Sequence, residues 1–223
     1  MANINKGKKM KFYSQYNQDK WLYDTFFTNK YNGVFLEIGA DDGVDKSNTL
    51  FFEEYLSWTG ICIEPSPNRF KLLAENRACI CENIAVSNFK GEVEFLDISG
   101  WGKGLSGIVG DYDARHVNRI NQELRHAQNM GSKKIKVETD TLGNILEKNK
   151  IQNVDFCTID TEGSEYKILE KFDFERFEID IFLIENNYGD RYVRNLLESN
   201  GYKYFKRVEI DDVYIRQDVL DKL

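Results

Sequence analysis

The sequence predicts an α/β protein: a doubly wound, mostly parallel sheet with an antiparallel strand pair at its C-terminal end. Three observations carry this. Short apolar runs alternate with helix-patterned segments along most of the chain, the signature of a parallel sheet covered on both faces. The runs GVFLEIG (33–39), GICIE (60–64), VDFCTID (154–160) and Ile179 to Glu185 are nearly continuous in apolar residues, as strands buried on both sides require. Each of these runs also has an acid at or near its end, where open α/β sheets bind their ligands.

Each element follows from local pattern. A Lys-rich polar tail is expected over residues 1–12 and a single domain over 13–223. Asn17 to about Asn29 has helical spacing, with Trp21, Leu22, Tyr23 and Phe26 near one side. Leu50 to Trp58 and Asn68 to Arg77 read as helices, separated by the strand that ends at Glu64. The only two prolines, Pro65 and Pro67, force a turn after that strand. A third strand lies within Cys79 to Val86, and Glu92 to Leu96 alternates like another. Residues 98–132 interrupt the rhythm. Their first part, SGWGKGLSGIVG, is Gly-rich and reads as loop. Their second part is a polar helix with a thin apolar stripe at Val117, Ile120 and Leu124. Lys134 to Glu138 reads as a strand, and Leu142 to Lys150, Ser164 to Phe172 and Tyr192 to Asn200 as helices. Tyr202 to Val208 and Asp212 to Arg216 make the final pair.

Bulk properties narrow the function. The 223 residues suit one sizeable core, and 41% hydrophobic with 30% charged residues argue against disorder. A net charge of −7 disfavours a nucleic-acid partner. The cluster Lys6, Lys8, Lys9 and Lys11 reads as a solvated terminus. Cys62, Cys79, Cys81 and Cys157 form no CxxC pair and lie in strand-like runs. Buried reduced thiols are expected, which points to a reducing compartment. No signal-like segment and no bilayer-length apolar run is present. A cytoplasmic protein without a membrane partner is expected.

The first strand runs into FLEIGADDGVDKSNT, Phe35 to Thr49. Gly39 and Gly43 bracket a short loop, and Gly39 allows close backbone approach to a ligand. Ser47, Asn48 and Thr49 stand near the next helix start, where side chains and free amides suit a carboxylate. A tight turn without ligand explains the glycines equally well. Glu64, 25 residues after Gly39, tips the balance, because an acid at the end of strand two grips a ribose diol. Asn83, in the next strand segment, and the backbone after it are placed to meet an adenine edge, and an Asn in a turn is an equally ordinary reading.

The order E-x-G-x-x-x-G followed by that acid resembles the class I methyltransferase core. YSQYNQDKWL (Tyr13 to Leu22), GICIEPSPNRFKLLAENR (Gly60 to Arg77) and VDFCTIDTEGSEYKILEKFDF (Val154 to Phe174) resemble the FkbM methyltransferase family, as do the later IENNYGD and NGYKYF. The resemblance spans about residues 13 to 216. It implies a Rossmann-like fold, S-adenosylmethionine as methyl donor, and a hydroxyl of a glycan, sugar or small metabolite as acceptor. By it, Glu37, Gly39, Ala40, Asp41 and Gly43 hold the methionine end, Glu64 the ribose, and Asn83 and Ala85 lie near adenine. Gln15 and Gln18 belong to a segment folding over the donor.

Asp160, Glu162 and Glu185 are the expected catalytic acids. Asp160, Glu185 and Asn186, spaced by 25 and 26 residues, resemble the set that holds Mg²⁺ in metal-dependent O-methyltransferases, and oxygen ligands suit that ion. A metal-free site in which the acids bond the acceptor is the other reading. Asn186 stands where the family leads one to expect His. His116 and His126 are read as solvated residues, Asp211 and Asp212 as turn residues, and 98–132 as a lid over the acceptor. A module that binds the nucleoside without turnover is the runner-up, and it has no need of the acids.

Overall fold

The computed structural model describes residues 10–126 and 131–222. Of the expected tail, residues 1–9 lie outside the described part, while Phe12 stacks on Phe51 with centroids 4.4 Å apart. A short helix α1 (Gln18–Leu22) passes into a π-helical turn, Tyr23–Phe27. The order then runs β1 (Val34–Ile38), α2 (Leu50–Leu56), β2 (Thr59–Ile63), α3 (Pro67–Asn76), β3 (Ile80–Glu82), β4 (Ala85–Val86) and β5 (Gly91–Ser99). A 3₁₀ turn, Gly100–Leu105, leads to β6 (Gly107–Ile108), α4 (Ala114–His126) and β7 (Gly131–Asp140). The chain closes with α5 (Leu142–Lys148), β8 (Asn153–Ile159), α6 (Glu165–Leu169), β9 (Glu178–Glu185), α7 (Tyr192–Ser199), β10 (Tyr202–Val208), β11 (Asp211–Arg216) and α8 (Gln217–Leu220).

Seven strands form the main sheet in the order β10-β11-β9-β8-β1-β2-β3. The five from β9 to β3 are parallel, and β11 and β10 run antiparallel at the edge, as the sequence predicts. The chain steps outward from β1 to β3 and later returns to place β8 beside β1. That reversal is the topological switch point, where a crevice opens above the carboxyl ends of β1 and β8.

Period-two alternation divides the core between two faces. Leu36, Ile38, Cys157, Ile159, Phe182 and Ile184 pack under Ile145, Leu146, Ile168, Leu169 and Leu197 of α5, α6 and α7. Phe35, Phe156, Ile181 and Val213 point the other way, against Leu22, Phe51, Phe52, Leu56 and Leu73. That second face is rich in aromatics. Phe156 meets Phe52 at 4.9 Å, and Trp58 meets Phe27 at 4.9 Å. The indole of Trp58 donates to the Lys30 carbonyl at 2.8 Å, so its polar end is satisfied.

A second sheet, β4-β7-β5-β6, departs from the expectation of one sheet. Its two long strands are antiparallel and show one face to solvent, where Lys134 bonds Glu94 at 2.6 Å and Lys136 bonds Glu92 at 2.7 Å. Cross-strand pairs of this kind explain the alternation of charged residues in both segments. The Gly-rich stretch expected as loop is also partly ordered, as a 3₁₀ turn and a two-residue strand. Its Leu105 packs with Ile98 and with Ile120 of α4. Among the described residues, no helix is long and apolar enough to cross a membrane.

Phe156→Ala removes a fully buried ring from the aromatic face. It is expected to lower stability by about 3–5 kcal/mol, read as a shifted urea midpoint with unchanged slope.

Candidate functional site

A cavity of about 700 Å³ opens at the switch point, within the roughly 300–1,000 Å³ of small-molecule sites. Its floor is the junction of β1 and β8. The Asp160 amide donates to the Ile38 carbonyl at 3.0 Å. Gly39 is left-handed (φ 89°), and a Cβ there would lie 1.9 Å from the Asp160 carbonyl oxygen. Glycine is required for the two strand ends to meet.

The loop between Gly39 and Thr49 is shaped from beneath by Glu37. Its carboxylate is 4% exposed as a residue average and faces inward under α2. It accepts from Ser47 Oγ at 2.9 Å, Thr49 Oγ1 at 2.6 Å, the Asn48 amide at 2.9 Å and Arg77 at 3.1 Å. Arg77 also donates to the Gly43 carbonyl, to Thr49 Oγ1 and to Glu53. These contacts hold the loop. Glu37 and Ser47 also line the cavity, and the Asn48 side chain donates to Thr158 Oγ1 at 3.0 Å while its Oδ1 has no hydrogen-bond partner among the described residues. Ser47 Oγ further accepts from the amides of Thr49 and Leu50, so those amides are occupied as well. Sequence reasoning missed Arg77, which closes the Gly60 to Arg77 segment of the family resemblance.

Gly39, Ala40 and Asp41 line the cavity as well. The Asp41 carboxylate is held by Arg69 and, at 2.7 Å, by Lys103 from the inserted 3₁₀ turn. Glu64 lies across the floor, with its carboxylate accepting from the amides of Asp41 at 3.0 Å and Ser66 at 2.7 Å. Burial pushes this carboxyl up to about 8, against the two amides that favour its charged form. Ile84, Ala85 and Val86 form an apolar wall. Asn83 is turned to the backbone, donating to the carbonyls of Glu64 and Pro65. Gln15 and Tyr16 reach the cavity, whereas Gln18 donates to Asp211 at 2.7 Å. Asp211 and Asp212 open β11, and both are buried. Burial lifts Asp211 to about 6.

Asp160, Glu162 and Glu185 converge, each offering an oxygen within 4.8 Å of the others. Asp160 opens to the cavity yet sits on its floor, surrounded by protein. Burial, with the charges of Asp211 and Glu165, pushes it up to about 7. Glu162 and Glu185 are driven well above the carboxylate range, first by burial and then by the charge of Asp160. Glu165 is spent on the loop, where it accepts from Thr161 and Gly163. Asn186 does not join the acids. Its amide donates to Asp190 and Asp212 and its oxygen accepts from the Asp190 amide. The polar atoms of the Asn186 side chain are thus engaged away from the acids, while Asp160, Glu162 and Glu185 bring their oxygens together.

His116 is the largest departure from expectation. It is 2% exposed, stacks on Tyr112 with centroids 4.9 Å apart, and brings Nδ1 to 3.2 Å from Glu162. Burial lowers its pKa, so it is neutral near pH 7. The apolar stripe that predicts α4 gives no sign that the opposite side of its first turn faces the site. The side chain of His126 lies outside the described part. Gly100 to Ile108, with Arg119 and Glu123 of α4, roof the cavity.

Arg77→Leu leaves the Glu37 carboxylate buried without its cation and is expected to cost about 3–5 kcal/mol. In a double-mutant cycle by urea unfolding, Glu37→Leu with Arg77→Leu is expected to lose less than the two single losses combined.

The family model for the methyltransferase FkbM domain matches residues 37–204. No curated protein matches the chain. A similar solved structure is that of Aeropyrum pernix fibrillarin in complex with natively bound S-adenosyl-L-methionine, at 13% identity and TM-score 0.43, over 96% of this chain and 85% of that one. With more than half its length matched, and with the glycine loop and acid tips of its strands in place, the chain belongs to the FkbM methyltransferase-domain family.

Proposed function

We propose that the protein is an S-adenosylmethionine-dependent O-methyltransferase acting on a hydroxyl of a glycan, sugar or small metabolite. The observation that carries this reading is one cavity at the switch point with Gly39 and Glu64 on one side and three converging acids on the other. When bound, S-adenosylmethionine supplies a sulfonium-activated methyl group. The cavity has the volume for it, and Glu64 is a buried acceptor suited to a ribose diol. Ala85 and its apolar neighbours suit the adenine, while Gly39, Ala40 and Asp41 suit the methionine end.

A hydroxyl must lose its proton as its oxygen gains a methyl group. Asp160, Glu162 and Glu185 are the groups placed to take that proton, and a base tuned toward neutral pH is the effective one. The roof formed by Gly100 to Ile108 excludes water, and as a lid it admits ligands by lifting. A second reading rests on the same three acids: they form a hard oxygen donor set that would hold Mg²⁺ and orient the acceptor. The runner-up, a nucleoside-binding module without turnover, leaves the acids without a purpose. The acidic surface favours a partner other than nucleic acid, and the four free cysteines favour the reducing cytoplasm.

Calorimetry is expected to show binding of S-adenosylmethionine and its demethylated product, lost in Glu64→Ala. No binding by the folded wild type to either compound overturns the reading. Ligand hydroxyls bond the charged form of Glu64, so wild-type affinity should fall as pH drops below about 8, by at most about tenfold per pH unit. Glu64→Gln should lack that component, which separates it from titration of the donor's own amine. Glu162→Gln is expected to keep donor affinity while lowering methyl transfer to hydroxyl acceptors by about 10²–10⁴. The assay is run with and without Mg²⁺, and a rate unaffected by chelation removes the metal reading.

A further inference from the structure

A donor with a methionine end brings a carboxylate into the cavity. The sequence points that carboxylate to the start of α2, where free amides and the side chains of Ser47, Asn48 and Thr49 suit an anion. The structure shows these groups engaged within the protein. The amides of Gly39 and Ala40 donate to the Ile63 carbonyl, each at 3.0 Å, and that of Gly43 donates to the Ala40 carbonyl at 2.8 Å. Glu64 takes the Asp41 amide, Asp42 those of Val44 and Asp45, Glu37 that of Asn48, and Ser47 Oγ those of Thr49 and Leu50. The hydroxyls of Ser47 and Thr49 donate to Glu37, and the Asn48 side-chain amide donates to Thr158. A carboxylate that leaves water keeps its charge only against a cation or several donors. With the donors of the loop engaged, the cations decide.

Among the described residues, four basic side chains line the cavity: Lys46, Arg69, Lys103 and Arg119. Arg69 pairs with Asp41 and Asp42, and Lys103 pairs with Asp41 and Asp45, so both are neutralised. The side chains of Lys46 and Arg119 make no hydrogen bond or ion pair among the described residues. Arg119 lies one helical turn beyond His116 on α4, and its charge acts on His116, Glu162 and Tyr188. It stands on the acid side. Lys46 belongs to the glycine loop itself, beside the residues that suit the methionine end. Its charge reaches Asp160, whose carbonyl lies against Gly39, as an ammonium facing the cavity from the loop would.

The position of Lys46 is built. Its backbone is left-handed (φ 65°), which is uncommon for a lysine, and it forms a parallel bridge to Ser14. Ser14 is fixed in turn by the fully buried Asp19, which accepts from the Ser14 hydroxyl at 2.5 Å and from the Tyr13 amide at 2.6 Å. Gln18 ties the same segment to Asp211. The main chain of Lys46 is thus held from two sides while its ammonium stays uncommitted.

We propose that Lys46 is the counter-ion of the donor's carboxylate, a charge contact in the place of the loop amides. The proposal rests on the methyltransferase reading and assigns a residue within its donor site.

The test titrates the whole protein calorimetrically with two ligands. One is S-adenosylhomocysteine, the demethylated product. The other is its decarboxylated analogue, which keeps the ammonium and lacks only the carboxylate. Lys46→Met alters an exposed side chain that bonds nothing, so folding is retained. It should weaken the intact product about five- to twentyfold. Affinity for the decarboxylated analogue should stay within about twofold of wild type, because the contact that the variant removes is absent there. If the intact product fails to bind the wild type, the methyltransferase reading falls and the assignment with it. If it binds the wild type and Lys46→Met equally well, the assignment alone is overturned. Equal weakening of both ligands in Lys46→Met marks a structural role and overturns it too.

Discussion

The site depends on one buried ion pair, Glu37 with Arg77. Glu37 ends the alternation of β1 on the aromatic face, and Arg77 follows α3 with its side chain wholly buried. Their charges are enclosed by Ser47, Thr49, Gly43 and Glu53, which satisfy the remaining hydrogen-bonding positions. A buried pair contributes little net stability over apolar residues of the same shape, and its value lies in geometry. Here it ties β1, the glycine loop, α2 and α3 to a single point. The Arg77 guanidinium also lies over the Phe35 ring, 5.3 Å from its centroid, so the polar knot joins the aromatic core without a void. The loop above it can then place Gly39 against Asp160 and the Asp41 amide against Glu64.

Across the crevice the logic reverses. Glu37 has a cation and donors bonded to it, whereas Asp160, Glu162 and Glu185 face one another with no ion-paired lysine or arginine among the described residues, Lys46 and Arg119 acting on them only from a distance. Burial first, and then the crowding of three carboxyls, raises their affinity for protons. Such an arrangement persists only where rigid neighbours impose it. Asp160 and Glu185 sit at the ends of adjacent parallel strands, and Glu162 is fixed by a left-handed residue (φ 58°) in a loop that Glu165 ties down. Strain and unfavourable charge concentrated at one place in an otherwise consistent fold mark a functional site.

The main sheet was legible in the sequence because its strands are buried on both faces and read as unbroken apolar runs. The edge pair and the acid tips were legible for the same reason, since each apolar run stops at a polar residue. The second sheet was harder. Its β5 and β7 alternate as half-exposed strands do, but pairing between them spans a long insertion, and alternation alone does not name a partner. Side-chain direction was the least legible level. Glu37, Ser47 and Thr49 occupy the positions the family pattern leads to, yet their side chains point beneath the loop, because a distant residue, Arg77, draws them there. The side-chain directions of Asn186 and Glu162 were hidden for a similar reason. Asn186 bridges Asp190 to β11, a contact set by tertiary packing, and Glu162 swings in from a loop whose left-handed turn no residue-type rule requires. His116 was hidden because α4 shows only a thin apolar stripe, while its first turn is buried by Tyr112 and the loop after β8.

The insertion that roofs the cavity is joined to the rest of the site by polar contacts as well as packing. Lys103 reaches Asp41 and Asp45, Arg115 reaches Asp190, and Asp111 meets Ser164. Pairs as exposed as Lys103–Asp45 and Arg115–Asp190 each contribute only about 0–1 kcal/mol. The roof's own apolar contacts, Leu105 with Ile98 and Ile120, stay within the insertion and the second sheet. The insertion thus has an apolar core of its own, and its polar contacts set Lys103 on the glycine loop and His116 beside Glu162. One insertion, carried on the second sheet, thereby bounds both sides of the cavity.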